Sequence, residues 1–235
     1  ESVVTALVET RELSKYFDIG RKQRVHAVDN ISLTIAEKEI VGLVGESGSG
    51  KSTFGKTVIG LHAKTSGEVK FRGETLPQAY RPADFQRLAS KMQMIFQDPY
   101  SSLNPRMTIG EIIAEGLRLH STLENAQVKS RVEEWLVRVG LHAGHMSRYP
   151  HEFSGGHRQR IGIAPALTLE PVFVVCDEPI SALDVSVQSP CINLLSEFKV
   201  PLGLTTLFIA HVLSMFRLFL SRRFSRAMSS SLYCD

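Results

Sequence analysis

The chain has 235 residues, 43% hydrophobic and 22% charged, so its composition is globular and allows a large buried core. Its 27 basic and 24 acidic residues give a net charge of +3, which is too weak to indicate a nucleic-acid-binding protein. The cysteines, Cys176, Cys191 and Cys234, form no CxxC pair. They indicate neither a disulfide framework nor a zinc site and favour a reducing, cytoplasmic setting.

Both ends and the longest apolar stretch bear on a membrane role. Residues 1–10 lack the basic start and long apolar run of a secretory signal, and no initiator Met is present, so we interpret the chain as trimmed or partial. The apolar stretch 202–220 contains His211 and Arg217. We interpret it as a buried strand followed by a helix, not as a membrane span. A membrane role would therefore come through a partner.

The first third of the chain predicts an antiparallel sheet. Residues 3–9, 25–35 and 68–72 have the composition of strands with no helical pattern between them. Four further apolar runs, each ending at a polar or glycine-rich segment, predict buried strands at residues 40–44, 92–96, 172–176 and 206–210.

Helical patterns lie between these later strands. Apolar residues at spacings of three and four place Ile109, Ile112, Ile113 and Leu117 on one helix face. The same spacing groups Val128, Val132, Leu136 and Val139 on another. Strands alternating with helices predict a parallel α/β sheet, in which ligands gather at the carboxyl ends of the strands. Residues 101–162 are mostly helical in pattern and predict a subdomain of their own.

The segment from Gly45 to Thr53 matches the phosphate-loop pattern G-x-x-x-x-G-K-S/T and follows a predicted strand. Glycines let the backbone N–H groups turn inward towards phosphate oxygens, and the start of a helix over 53–61 adds its positive dipole. Lys51 is predicted to reach the β- and γ-phosphates, and Ser52 to bind Mg²⁺. The alternative is a glycine-rich turn beside a lysine. The residues predicted to bind nucleotide here are Gly45, Glu46, Ser47, Gly48, Ser49, Gly50, Lys51, Ser52 and Thr53.

The apolar run 172–176 ends in two carboxylates, Asp177 and Glu178. Two anions at the end of a buried strand are costly unless a cation offsets them, and bound Mg²⁺ supplies that cation. We expect Asp177 to hold the metal and Glu178 to orient or deprotonate the attacking water. A solvated turn after a strand is the alternative.

Further motifs follow in an order that resembles the ABC ATPase family. Ser154, Gly155, Gly156 and His157 are similar to the family's S-G-G-Q signature, with histidine in place of glutamine. Single residues resemble the Q-loop glutamine, the D-loop aspartate, the switch histidine and the adenine-stacking aromatic; they are Gln97, Asp184, His211 and Phe17. Each has a structural alternative when it is considered alone. Gln97 suits a strand end, Asp184 a helix cap, and His211 and Phe17 core packing. Ser154 suits a helix N-cap followed by a glycine turn.

The resemblance implies a P-loop NTPase fold: a RecA-like core sheet, an N-terminal antiparallel β subdomain and an inserted helical subdomain. Residues 1–235 would form one ABC ATPase domain. Residues 1–100 and 163–215 would make the β subdomain and the P-loop core, 101–162 the helical subdomain, and 216–235 a divergent or truncated tail. It also implies that Lys51, Glu178 and His211 are catalytic and that Ser52, Gln97 and Asp177 hold the metal.

Some stretches resemble one branch of the family, the oligopeptide/dipeptide importer ATPases. They are residues 94–107, 148–154 and 176–185. This resemblance implies an ATP-hydrolysing subunit with ATP and Mg²⁺ as cofactors, on the cytoplasmic face of the inner membrane. Its partners would be transmembrane permease subunits, a second ATPase subunit (the same or a relative) and, indirectly, a peptide-binding protein.

Departures from the family pattern keep other functions open. Pro165 stands inside the signature helix where the family usually has arginine, and an internal proline costs about 3 kcal/mol and bends or ends a helix. Pro165 and His157 fit a nucleotide-binding subunit with little hydrolysis of its own. A soluble ABC ATPase of DNA repair or translation is a third possibility, against which the single cassette and the near-neutral charge weigh.

Overall fold

The computed structural model describes residues 5–20, 23–96, 103–177, 195, 197–198 and 202–210. Their strands are β1 (Ala6–Ile19), β2 (Gln23–Ala36), β3 (Ile40–Val44), β4 (Ser66–Phe71), β5 (Glu74–Thr75), β6 (Met92–Ile95), β7 (Phe173–Asp177) and β8 (Thr205–Ala210). Their α-helices are α1 (Lys51–Val58), α2 (Pro82–Leu88), α3 (Ile109–His120), α4 (Asn125–Arg138) and α5 (Gly155–Thr168). Two short 3-10 helices, Ala143–Ser147 and Pro150–Glu152, precede α5.

The predicted antiparallel sheet is present, with strand order β2-β1-β4-β5. β1 pairs antiparallel with both β2 and β4. The first strand differs from its prediction at its end, because it continues past residue 9 to Ile19; it starts at Ala6, and Val3 lies outside the described residues. The reason is pairing: β2 accompanies β1 as far as the Ile19–Gln23 pair, a long-range effect that composition does not reveal.

The second sheet has the strand order β3-β8-β7-β6. β3 and β8 are parallel, from the Ile40–Thr206 pair to the Val44–Ala210 pair. The four predicted strands are all found, with bounds that agree to within one residue at each end. Every residue of β7 and β8 is buried, which explains why these strands are continuous apolar runs without alternation.

The described residues divide into two compact units. The first contains residues up to 85, together with 175–177 and 205–210; the second contains 86–174, with 195, 197–198 and 202–204. The division passes through β7. The subdomain bounds expected from the family resemblance stay a prediction.

Helices α3 and α4 confirm the periodic patterns in the second unit. α3 begins at a capping box: Thr108 Oγ1 accepts a hydrogen bond from Glu111 N, and Glu111 Oε2 accepts one from Thr108 N at 2.7 Å. The bonds that Thr108 donates to the Glu111 carboxylate, from its backbone N–H and from its hydroxyl group, lower the pKa of Glu111. The buried faces of the two helices include Ile109, Ile112, Ile113 and Leu117 on α3, and Val128, Val132 and Leu136 on α4.

Helix α5 contains Pro165 and nevertheless extends three residues past it, to Thr168. Of the two effects expected of this proline, bending or ending the helix, ending is therefore excluded. The surrounding core explains why: Ile161, Ile163, Ala164, Ala166 and Leu167 are all buried, and their packing holds the backbone helical despite the missing N–H.

We expect Pro165→Ala to stabilise the protein by about 1–3 kcal/mol, because alanine restores the N–H and removes the ring from the helix interior. The measurement is thermal unfolding followed by circular dichroism, with a midpoint rise of several degrees, at about 2–4 °C per kcal/mol for a chain of this size. The matched control is Pro150→Ala. Pro150 lies at the first position of a 3-10 helix, where the ring is favourable, so this change should not raise the midpoint. Equal gains for both variants would contradict the explanation.

Candidate nucleotide site

The predicted phosphate loop connects β3 to α1 in the first unit, and Gly50 fixes its last turn. Gly50 is the N-cap of α1 and has φ 84°. A Cβ at this position would lie 1.7 Å from the carbonyl oxygen of Ala27 in β2. Glycine is therefore required at position 50 for two reasons: the left-handed backbone and the close approach of a neighbouring strand.

Gly48 and Gly45 serve the loop differently. Gly48 also has a positive φ, 80°, but a Cβ there would meet nothing within 4 Å. A Cβ on Gly45 would point into the loop, 3.2 Å from Ser49 Oγ and 3.7 Å from Lys51 Cδ. The loop thus forms a small cradle in which a side chain at position 45 would crowd Ser49 and Lys51.

Lys51 lies inside this cradle. The residue is 4% exposed, and its ammonium group donates hydrogen bonds to the carbonyl oxygen of Glu46 and, at 3.1 Å, to Ser49 Oγ. Both acceptors belong to the loop. The side chain is therefore held with its positive charge among oxygen acceptors at the start of α1, whose first turn contains no acidic residue.

Ser52 and Asp177 are brought together from distant parts of the sequence. Ser52 Oγ, in the first turn of α1, donates a 2.6 Å hydrogen bond to Asp177 Oδ1 at the end of β7. Asp177 is 6% exposed, so its carboxylate is removed from bulk water. The structure thus places a buried carboxylate directly beside the phosphate-loop helix.

Close packing of α1 on the sheet sets this approach. A Cβ on Gly55 would lie 2.8 Å from Ile209 Cδ1 of β8 and 2.8 Å from Val175 Cγ1 of β7. Glycine at this buried helix position lets the helix lie directly against the two strands. The same contact brings Ser52, three residues earlier on α1, within reach of Asp177.

Phe17, the predicted adenine-stacking residue, lies near the end of β1 and is half-buried. The Lys15 ammonium is 4.8 Å from the centroid of its ring, and His62 contacts it edge-on at 5.5 Å. Burial, together with the charges of Lys56 and Lys15, lowers the pKa of His62. The aromatic ring therefore has polar and basic neighbours, which differs from the alternative of plain core.

The signature segment lies in the second unit, where Ser154 is the N-cap of α5. Gly155 and Gly156 are the first two residues of that helix, so the alternative of a glycine turn is wrong. Neither has a positive φ, and a Cβ on either would meet nothing within 4 Å. Within the described chain, neither backbone conformation nor packing requires glycine at these two positions.

Four predicted site residues, Gln97, Glu178, Asp184 and His211, lie outside the described residues. Two described residues were missed by the sequence reasoning. Ala27 supplies the carbonyl that excludes a side chain at Gly50, and His62 contacts Phe17. Both act through contacts between segments far apart in sequence, so no local pattern marks them.

The donor set fits a magnesium nucleotide. Phosphate oxygens are the same class of acceptor as the loop oxygens that Lys51 contacts. A hydroxyl and a carboxylate oxygen, the ligands that Mg²⁺ prefers, meet at Ser52 and Asp177.

Among the described residues, every helix is too short or too polar to form a membrane span.

Comparison with protein families decides the assignment. The family model described as "ABC transporter" matches residues 28–181, which include the phosphate loop, the signature and Asp177. The chain belongs to the ABC transporter ATPase family. The family resemblance inferred from the motifs is thereby confirmed.

Curated ABC proteins match most of the chain. Oligopeptide transport ATP-binding protein OppF of Streptococcus mutans is 51% identical over 210 residues, covering 89% of this chain and 68% of that protein. OppF of Bacillus subtilis is 52% identical with the same coverage. OppF of Escherichia coli is 48% identical over 218 residues, covering 89% of this chain and 65% of that protein. The chain spans about two thirds of the length of these relatives.

Solved ABC cassettes share the fold. A dimeric ATP-binding cassette in a post-hydrolysis state, bound to ADP and Pi, has a TM-score of 0.77 and 27% identity, covering 89% of this chain and 90% of that one. A cassette of a Clostridium perfringens ABC transporter complex has a TM-score of 0.76 at 24% identity, covering 92% and 82%. The predicted fold class, an α/β P-loop fold with an added antiparallel sheet, is confirmed.

The loop glycines give a testable contrast. Gly48→Ala should lower stability by about 1–2 kcal/mol, the cost of a left-handed non-glycine residue. No steric clash adds to this cost, because a Cβ at this position meets nothing within 4 Å. Gly50→Ala carries the same strain and must also displace the Ala27 carbonyl, so it should weaken nucleotide affinity far more. Chemical denaturation and calorimetric titration with MgATP measure the two effects. Equal losses of affinity in both variants would contradict the proposed role of the Ala27 contact.

Proposed function

We propose that this chain is the ATP-binding and ATP-hydrolysing subunit that powers an ABC transporter importing oligopeptides or dipeptides. The observation that carries the proposal is the approach of the buried Asp177 carboxylate to Ser52, beside the cradle that holds Lys51. Family membership and the names of the relatives support it: three of them, 48–52% identical, are oligopeptide transport ATP-binding proteins.

The phosphate loop would bind the triphosphate of ATP. Lys51 would exchange its contacts with the Glu46 carbonyl and the Ser49 hydroxyl for the β- and γ-phosphate oxygens, so its ammonium group keeps hydrogen-bond partners and gains opposite charge. The first backbone N–H groups of α1 orient the phosphates. Phe17 is the surface on which adenine stacks. The remaining loop residues, Ser47, Gly48 and Thr53, provide backbone groups to the phosphates.

Ser52, Asp177 and Gln97 would hold Mg²⁺, which neutralises charge developing on the phosphate oxygens during hydrolysis. Asp177 is already buried and oriented by Ser52, so little reorganisation is needed at its carboxylate. Glu178, the next residue along the chain, accepts the proton of the attacking water. His211 would contact the γ-phosphate. Loss of this contact after hydrolysis would signal the change of nucleotide state.

The signature segment would complete the site of a second subunit. Glycines in a first helical turn are less favourable than alanine, and nothing in the described chain requires them at positions 155 and 156. They leave the N–H groups of the α5 N-terminus open to a close approach from outside the chain. A γ-phosphate bound by the opposite subunit fits this opening, with His157 and Asp184 beside it and two ATP molecules between the subunits.

Transmembrane permease subunits would be the direct partners, with a peptide-binding protein acting through them, and the ATPase would lie on the cytoplasmic face of the membrane. ATP-driven closure of the dimer, followed by its opening after hydrolysis, would drive the permease through its two orientations. The dimeric assembly of the structurally similar cassette supports the pairing. The second ATPase subunit would be a copy of this chain or a relative.

The proposal predicts distinct phenotypes for two substitutions. Lys51→Ala should weaken MgATP binding by at least about 100-fold, because it removes a charge-assisted contact from a buried site. Glu178→Gln should nearly abolish hydrolysis yet keep binding, because only the proton acceptor is lost. Calorimetric titration and phosphate release measure the two. The matched control is Lys56→Ala, which removes a lysine from the last turn of α1, away from the loop, and should bind normally. Undiminished binding by Lys51→Ala would overturn the assignment.

A second prediction concerns the signature glycines. Gly155→Ala should leave the isolated chain as stable as before or up to about 1 kcal/mol more stable, because alanine favours the helix and meets no neighbour. The same change should block ATP-dependent dimerisation of Glu178→Gln, measured by analytical ultracentrifugation. A variant that dimerises normally would show that the two glycines are not at an interface.

A further inference from the structure

The hydroxyl group of Ser154 has an unusual partner for a helix N-cap. Its side chain makes no capping bond to the backbone of α5. Instead, Ser154 Oγ lies 3.0 Å from Nδ1 of His157, the third residue of the helix. We infer that His157 is a positioning residue whose protonation sets the direction of the Ser154 hydroxyl proton and makes phosphate binding at the signature pH-dependent. This inference rests on the proposed function.

The argument follows from counting protons. A serine hydroxyl carries one proton, and a neutral imidazole with Nδ1 unprotonated takes it as a hydrogen-bond acceptor. Ser154 then presents only lone pairs to its other neighbours, which repel a phosphate oxygen. When Nδ1 is protonated it must donate, Ser154 Oγ becomes the acceptor, and the serine proton points away from His157. For a neutral ring that carries its proton on Nε2, protonation therefore converts Ser154 from an outward acceptor into an outward donor.

The charge change acts in the same direction. An imidazolium at the third residue of α5 adds a full positive charge beside the exposed N–H groups of Gly155 and Gly156. Anions are stabilised at helix N-termini, and an added cation strengthens this effect. A glutamine, which the family usually has at this position, both donates and accepts at every physiological pH. The pH response is thus specific to the histidine of this chain.

The ring of His157 is exposed to solvent and contacts a buried aromatic side chain. It packs edge-on against the buried Phe153, with ring centroids 6.5 Å apart. Phe153 also contacts the His145 ring at 5.4 Å, and the Arg148 guanidinium lies 5.2 Å from its centroid. Solvent can therefore reach an imidazole that contacts both the Phe153 ring and the Ser154 hydroxyl group.

The charged groups around Phe153 and His157 differ in how they respond to pH. Arg148 is paired with Glu152 at 3.4 Å, and Arg158, on α5 itself, donates to the Phe153 carbonyl oxygen at 2.6 Å. The pKa of Glu152 is lowered by the backbone N–H of Tyr149, so this carboxylate stays ionised near neutral pH. Histidine is the residue type that ordinarily changes charge near neutral pH, and the histidines in this region are His157, His145 and His151.

The test compares ATP-dependent dimerisation at pH 6 and pH 8 in the Glu178→Gln background. We expect the dimerisation affinity of the parent chain to rise from pH 8 to pH 6. This rise should be about tenfold larger than the rise measured for His157→Gln over the same pH change. The matched control is His151→Gln. The ring of His151 stacks on Tyr149, 5.8 Å between centroids, and this variant should keep the parent pH response. Ser154→Ala should reduce the response to the part that the imidazolium charge contributes, while His157 is still present.

A second readout does not depend on activity. In the isolated chain, nitrogen NMR of the His157 ring should show Nδ1 in a hydrogen bond at pH 8, and Ser154→Ala should displace its titration midpoint. An unchanged midpoint, or equal pH ratios for the parent and His157→Gln, would overturn the inference. Failure of the parent chain to bind MgATP would instead count against the proposed function, and the NMR result would still decide whether His157 and Ser154 interact.

Discussion

The hydrogen bond between Ser52 and Asp177 is the contact on which the site depends, because it joins residues 125 positions apart in sequence. It forms only if α1 starts at the right place and lies close to the sheet. Gly50 meets the first condition, with a left-handed φ and the Ala27 carbonyl where a side chain would be. Gly55 meets the second by letting the helix rest directly against β7 and β8. The two glycines therefore position a hydroxyl and a carboxylate that neither of them touches.

Charge and burial make this arrangement sensitive to its ligand. Lys51 and Asp177 are both buried, and a buried charge is tolerated only with hydrogen-bond partners or an opposite charge. Lys51 has loop oxygens and Asp177 has the Ser52 hydroxyl as partners. Phosphate and Mg²⁺ would replace these modest partners with full opposite charges. This replacement explains physically why such a site should bind a magnesium nucleotide strongly.

Glycines in the phosphate loop and in the signature are present for different reasons. At Gly50 the chain's own backbone excludes a side chain, so the requirement is internal. At Gly155 and Gly156 the surrounding space is open and the backbone is helical, so the described chain gives no reason for glycine. Glycines at such positions indicate that a binding partner outside the chain needs a close approach to the backbone. The proposed binding of nucleotide between two subunits is such an approach. His157 adds a local feature to that surface, because it engages the Ser154 hydroxyl directly.

The sequence alone predicts the strands that end near the site, the buried faces of α3 and α4, the phosphate loop and the family. These features follow from local periodicity and short motifs. Tertiary structure alone decided the length of β1, the persistence of α5 through Pro165 and the contacts of Gly50 with Ala27 and Phe17 with His62. Each depends on strand pairing or on core packing between segments far apart in sequence. A local pattern carries no information about such partners, so only the folded chain could show them.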